Sequence, residues 1–322
     1  MLFIITLEVA TMLQNKSSLS AILCVIAASV LWGTTGTASA FIPDVSPLAV
    51  GAFSMGVGGV LLVLNAKNNL LSDRQKLLSQ PSLLFIGSLC VAIYPLAFYS
   101  SMRLAGVAIG TVISIASAPF FTVIMERLIS NKRVTSRWVV SFIFGVVGVI
   151  LLTLGKTQYL DINAQANNRI LGILLGLVAG LTYATYSWTA RQMIENGVNS
   201  KSAMASMFGL SAILLLPSLL LTGENLFLDA KHISVALYLA IAPMFFGYLL
   251  FGQALRVIEA SKATLITLLE PIVATILAII IIGETFSPIG WLGMSLMIVC
   301  LLLQVMKTPK LTGYRGRRAL YK

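Results

Sequence analysis

The chain has little of what a conventional active site uses. Its 322 residues include one histidine, three cysteines and 11 acidic side chains. Cys24, Cys90 and Cys300 are far apart and form no Cys-x-x-Cys pair, which excludes a zinc pattern and a disulfide framework. His232 stands alone at a helix entrance, with no metal cluster among its own neighbours. An intramembrane enzyme needs His, Asp or Cys gathered within its spans, and that gathering is missing. No catalytic residue, metal or cofactor is expected. Charged residues make up only 10%, where a soluble domain carries about 25%. Gly155-Lys156-Thr157 has the end of a phosphate-binding loop without its beginning, since position 150 is Ile. ATP-driven transport is therefore not expected.

What the chain does have is apolar length. Hydrophobic residues make up 58%, and mean hydropathy is +0.94. Ten apolar stretches fall near 20–41, 47–65, 82–103, 107–128, 138–155, 170–191, 201–222, 233–255, 261–282 and 287–306. Each is long enough to cross a hydrocarbon core, which takes about 20 helical residues. Backbone polar groups in lipid must be satisfied within the segment, so the spans are helices. They lack the polar–apolar alternation of barrel strands. The fold class is an all-α integral membrane protein with the lipid bilayer as its solvent.

The net charge of +11 raises the question of nucleic acid, but its placement answers otherwise. Of 22 Lys and Arg residues, only Arg103, Lys156, Arg169 and Lys231 fall on one side of the expected spans; the other 18 share the opposite side. Basic residues concentrate in cytoplasmic loops, so both termini are expected in the cytoplasm of a multi-pass cytoplasmic-membrane protein. The basic tail after residue 306 reads as a topology anchor, and no nucleic-acid partner is expected. Residues 2–7 are apolar, but Glu8 follows and no basic residue precedes them, which makes a poor signal peptide. Residues 1–15 are expected to be loosely ordered or to lie along the membrane surface.

The chain repeats itself. Phe98–Arg103 matches Phe251–Arg256 at an offset of 153; Pro119 matches Pro271 at 152; Trp138 matches Trp291 at 153; Leu31–Gly33 matches Thr182–Ala184 at 151. Each similarity is weak, but the near-constant offset ties four helix pairs together. The unit has five spans, and an odd number inverts the second copy relative to the first. Inverted repeats build alternating-access transporters with a substrate site near the midplane. The expected organisation is a cytoplasmic segment 1–19, a first five-helix repeat 20–155, an external connection 156–169, a second repeat 170–306 and a basic cytoplasmic tail 307–322.

These residues resemble a known family. Leu31-Trp32-Gly33-Thr34-Thr35, the helix ends Met102-Arg103 and Ala254-Leu255-Arg256, and Leu269-Glu270-Pro271 with Gly283-Glu284 are similar to the drug/metabolite transporter superfamily, in its EamA-type ten-helix branch. The resemblance covers roughly residues 20–306. It implies a 5+5 inverted-repeat transporter working without ATP, often exporting amino acids, related metabolites or drugs. The first repeat departs from the pattern, with Ala118 where a Glu would precede the proline and Lys132 at the counterpart of Glu284. Any carboxylate function falls to the second half.

Candidate site residues follow from the spans. Glu270 is the one acidic residue deep inside a span, where charge is expensive and a functional role is the default reading. It suits proton coupling or recognition of an amino group; a structural, protonated carboxyl is the alternative. Pro119 and Pro271 remove helical hydrogen bonds and read either as hinges or as packing kinks. Trp32, Tyr94, Tyr183, Tyr186 and Tyr248 offer ring faces to an apolar or cationic substrate, or else pack the core. Thr35 and Ser117 offer hydroxyls, which also commonly bond back to their own helix. Gly172, Gly176 and Gly180 form one smooth face for close helix packing. The expected activity is secondary transport of a small molecule, with export of amino acids or related compounds taken from the resemblance. A facilitative uniporter or an uptake permease remains the alternative.

Overall fold

The computed structural model describes residues 2–105, 107–155, 166–283, 285 and 287–306. Among them, ten helices are long and apolar enough to cross a membrane. They are α1 (Ser17–Ser39), α2 (Pro47–Asn65), α3 (Pro81–Ala105), α4 (Gly110–Leu128) and α5 (Ser136–Leu154) in the first half. The second half holds α6 (Arg169–Glu195), α7 (Ser200–Thr222), α8 (Ala230–Ala254), α9 (Ala260–Ile281) and α10 (Pro288–Val305). The basic tail, Lys156 and Glu284 lie outside the described residues. One expectation is corrected at the start of the chain. The helix that becomes α1 begins at Leu2 and runs unbroken to Gly33, so residues 2–15 are helical rather than loose.

Local chemistry sets where the helices bend. Thr34 and Thr35 donate their hydroxyls back to Leu31 O and Trp32 O, both at 2.7 Å, and α1 is interrupted there before resuming at Thr35–Ser39. Such back-bonding bends helices. The prolines act differently from one helix to another. Pro95 and Pro119 sit inside continuous helices. Pro243 lies within a π-helical turn, Ala240–Phe246, and Pro271 follows a break between Ile266 and Leu269. A proline has no N–H to give the carbonyl one turn back, and a wider turn absorbs the loss. At Pro271 the Thr267 carbonyl accepts instead from Glu270 N at 2.9 Å.

The loops sort onto two faces. On the first, Lys132 between α4 and α5 pairs with Glu195 at the end of α6 and with Glu259 between α8 and α9. Asn199 N, between α6 and α7, donates to Asp73 Oδ2, between α2 and α3, at 2.8 Å. On the opposite face, His232 at the start of α8 meets Asp44, between α1 and α2, at 3.0 Å. Ser287 N donates to Gly155 O at 2.9 Å on that same face. Loops after even-numbered helices thus share one face and loops after odd-numbered helices the other, as ten full crossings require.

Packing follows a pseudo-twofold pattern. Helix α6 packs on α3 and α4 of the first half, and α1 packs on α8 and α9 of the second; α2 pairs with α7 and α5 with α10. Without a hydrophobic drive between helices in lipid, close backbone approach carries the association. The α6 glycine stripe supplies it. A Cβ on Gly172 would stand 2.5 Å from Ala105 N, and one on Gly180 would stand 1.9 Å from Ser117 Oγ. At the α5–α10 crossing, a Cβ on Gly293 would fall 2.6 Å from Gly148 O.

Candidate functional site

A cavity lies between the halves. Its walls come from Trp32 and Thr35 on α1, Gly51, Ser54 and Met55 on α2, and Tyr94, Pro95, Phe98 and Tyr99 on α3. The second half adds Tyr183 and Tyr186 on α6, Met244 and Tyr248 on α8, and Glu270 on α9. The space open to the centre of a water molecule is about 50 Å³, enough for a few waters. The α1, α2 and α3 residues come from the helix halves nearer the Asp44 face, so the cavity reaches from mid-membrane towards that face.

Towards the Lys132 face an aromatic layer floors it. Tyr248 and Phe208 have ring centroids 4.2 Å apart, and Tyr186 and Phe208 are 6.0 Å apart edge to face. Phe208 and Phe251 are fully buried. The Tyr186 and Tyr248 hydroxyls are 3.0 Å apart, and Tyr183 OH donates to Thr267 Oγ1 at 3.1 Å. Trp32 tilts onto Tyr248 with centroids 4.9 Å apart, and its indole N–H donates to Pro243 O at 2.9 Å. Gly247 makes room for that ring, since a Cβ there would stand 2.7 Å from Trp32 Nε1.

Glu270 is half-buried at the cavity wall and is the one charged side chain in the lining. Among the described residues its carboxylate accepts no hydrogen bond and meets no cation. Of the residues proposed from sequence, Trp32, Thr35, Tyr94, Tyr183, Tyr186, Tyr248 and Glu270 are brought together here. Ser117 is not. It donates to Ser114 O at 3.4 Å and faces Gly180 across the α4–α6 contact. Pro119 and Pro271 are buried and also outside the lining.

Sequence reading missed several features. Tyr99, Ser54 and Met244 line the cavity without any local pattern to mark them. Glu126, near the end of α4, is 4% exposed, and its Oε1 accepts from Ser261 N at 3.1 Å. It caps the start of α9 from the other half, a role that only the fold reveals.

Beneath the aromatic floor lies an ionic layer. Lys132 Nζ is 2.5 Å from Glu195 Oε1 and also contacts Glu259, while Arg191 Nη2 is 2.9 Å from Glu195 Oε1 and Arg191 donates to Leu255 O. Burial works to lower the Lys132 pKa, but hydrogen bonds to Glu195 and Glu259 outweigh it and raise the value. Burial also works against the charged form of Asp73, yet the Asn199 N–H and Lys76 hold its carboxyl below the usual range. On the opposite face, His232 bridges Asp44 and Asp229, and its hydrogen bonds hold both carboxyls low. No group of three such side chains among the described residues is arranged to hold a metal ion.

Comparisons with known proteins agree with this architecture. Residues 19–154 and 170–306 each match the EamA-like transporter family. The chain is 33% identical over 286 residues to the uncharacterized transporter YwfM of Bacillus subtilis, covering 87% of this chain and 92% of that protein. It is 23% identical to the uncharacterized inner membrane transporter YicL of Salmonella typhimurium, over 89% and 95% of the two chains. It is 25% identical to a protein of the same organism named as a probable amino-acid metabolite efflux pump, over 62% of this chain and 66% of that one. A crystal structure of a protein with 16% sequence identity superimposes with a TM-score of 0.74, over 88% of this chain and 96% of that one; the likeness is one of fold.

Proposed function

Because the chain belongs to the EamA-like transporter family, we propose that this membrane transporter works as a secondary exporter of a small amine-bearing metabolite or drug, with amino acids and their relatives as the starting class. The observation that carries the reading is the cavity, which is walled by both halves and holds one unpaired carboxylate, Glu270. In an inverted-repeat transporter such a site is exposed first to one face and then to the other as the halves rock. The aromatic floor and the Lys132 network seal the first face, so this conformation corresponds to the state directed at the Asp44 face. With the basic loops in the cytoplasm, both termini are cytoplasmic and the Asp44 face is external.

Glu270 binds the substrate ammonium or exchanges it for a proton. A carboxylate held in a weakly solvated wall favours a positive partner strongly, because charge there is costly when left alone. The relative named as an amino-acid metabolite efflux pump supports the direction and the starting class. Proteoliposomes loaded with candidate amines and amino acids test the reading. Solute-for-solute exchange dependent on the protein is expected, and its absence across both classes would count against transport through this cavity.

A further inference from the structure

We propose that the cavity takes zwitterionic α-amino acids by both ends: the Tyr94 and Tyr99 hydroxyls of the first repeat hold the carboxylate, and Glu270 of the second holds the ammonium. This rests on the reading of the cavity as the substrate site and deepens it, by naming the donors for the second end and the repeats that the substrate joins. The ground is the hydrogen-bond inventory of the lining.

Some donors are already committed. The Trp32 indole N–H and the Thr35 and Ser54 hydroxyls are given to the carbonyls of Pro243, Trp32 and Gly51. Tyr183 donates to Thr267, and the one bond between Tyr186 and Tyr248 uses the hydrogen of one and leaves that of the other. Tyr94 and Tyr99 line the cavity, and their hydroxyls have no hydrogen-bond partner among the described residues. Their rings are nonetheless held. Tyr94 packs on Tyr183 with centroids 5.6 Å apart, and Tyr99 lies so close to α2 that a Cβ on Gly51 would stand 2.6 Å from its Cε2. A phenol in an apolar wall ordinarily finds a partner. Two fixed rings with unused hydrogens are donors set out for a ligand, and both hydroxyls lie within electrostatic reach of Glu270. The lining holds no Lys, Arg or His, so neutral donors are what a bound carboxylate meets. An amine alone satisfies Glu270 and leaves both phenols unused. A carboxylate alone satisfies the phenols and stands against Glu270 with no cation between. The zwitterion answers both ends and brings no net charge. Tyr94 and Tyr99 are on α3 and Glu270 is on α9, so this substrate bridges the two repeats, which neither partial molecule does.

Matched triads separate the two ends. Alanine, leucine and phenylalanine carry both. Ethylamine, 3-methylbutylamine and 2-phenylethylamine lack the carboxylate; propanoate, 4-methylpentanoate and 3-phenylpropanoate lack the ammonium. The full-length protein, purified in detergent at about pH 7, where both kinds of group are charged, is melted with each over a concentration series. A ligand bound to the native state raises the melting temperature. In at least one triad the amino acid should bind about tenfold or more tightly than its amine and its acid, the scale of one charge-assisted hydrogen bond. The double variant Tyr94→Phe, Tyr99→Phe keeps both rings and should lose that advantage while binding the amine as the wild type does; a purely structural role would weaken both alike. Should the variant fail to fold, the wild-type triads decide alone. The inference is overturned if no amino acid binds, if an amine or an acid matches its amino acid in every triad, or if the double variant binds the amino acid as tightly as the wild type. Exchange of an amine in proteoliposomes with no amino-acid binding sinks this recognition and leaves transport through the cavity standing. Amino-acid binding that depends on the two tyrosines, with no solute crossing, does the opposite.

Discussion

The indole N–H of Trp32 donates to the carbonyl of Pro243 across 2.9 Å, joining α1 of the first half to the π-turn of α8 in the second. The bond holds one wall of the cavity in place and fixes the Trp32 ring over Tyr248. Trp32→Phe keeps a ring but loses the donor. Hydrogen bonds between membrane helices are worth about 0.6 kcal/mol on average, so a small loss of stability is expected. Trp32→Ala empties a space only 6% exposed and should cost about 3–5 kcal/mol. Thermal melting of the two variants measures the difference, and equal losses would show that the ring is loosely seated.

Gly180 and Ser117 should show strong coupling. Adding a Cβ at Gly180 puts it 1.9 Å from Ser117 Oγ and 2.8 Å from Ser114 O. Gly180→Ala is expected to cost about 1–3 kcal/mol, the usual penalty of overpacking. Ser117→Gly in the same chain should recover part of that loss, leaving the clash with the Ser114 backbone. A double-mutant cycle on melting midpoints reads the coupling, and strict additivity would mean that α4 and α6 do not approach this closely.

Lys132 ties one half to a helix end and a loop of the other. Lys132→Gln should loosen the sealed face, with faster amide exchange at 195–200 and 254–260 and little change at 225–232. The stability lost is on the order of 1 kcal/mol, since the group is only partly buried. The raised Lys132 pKa also sets a pH dependence. A cation whose folded pKa lies above its unfolded value, about 10.4, contributes fully below that value. Its contribution is lost as pH rises through the folded value. In the wild type, melting temperature should therefore fall above about pH 10; in Lys132→Gln that part of the fall should be missing.

Glu270→Gln separates coupling from passive passage. In proteoliposomes with an imposed pH gradient, the wild type should accumulate solute against its gradient. The variant should lose pH-driven accumulation and retain at most downhill exchange. Unchanged rate and unchanged pH response would remove Glu270 from the mechanism. A wild type that only equilibrates solute would be a facilitative carrier.

Much of this was legible in the sequence because the bilayer imposes lengths. Ten spans could be placed within a few residues, as backbone satisfaction in lipid leaves helices as the one form open to these apolar runs. The glycines at 172, 176 and 180 announced a close contact, though not that Ser117 is what fills it. Buried aromatics and the single deep carboxylate pointed to the cavity for a physical reason: polar atoms rarely sit mid-membrane without a task. The π-turn at Pro243, the continuous helix at Pro119 and the capping of Ser261 by Glu126 were not legible. Each depends on which helix stands alongside, and nothing in a local window records that. Lys132 read as one more basic loop residue because both its partners are more than 60 positions away.

The exchange of α1 and α6 between halves has a consequence for how the protein can be divided. Gly33 on α1 leaves no space against Val273, where a Cβ would stand at 2.6 Å, just as Gly172 leaves none against Ala105. Each five-helix half thus lends its leading helix to the other. Cutting the polypeptide between residues 155 and 166 yields two fragments that each lack a wall. Made separately they should be degraded; made together they should reassemble, as interlocked pieces rather than as two finished modules.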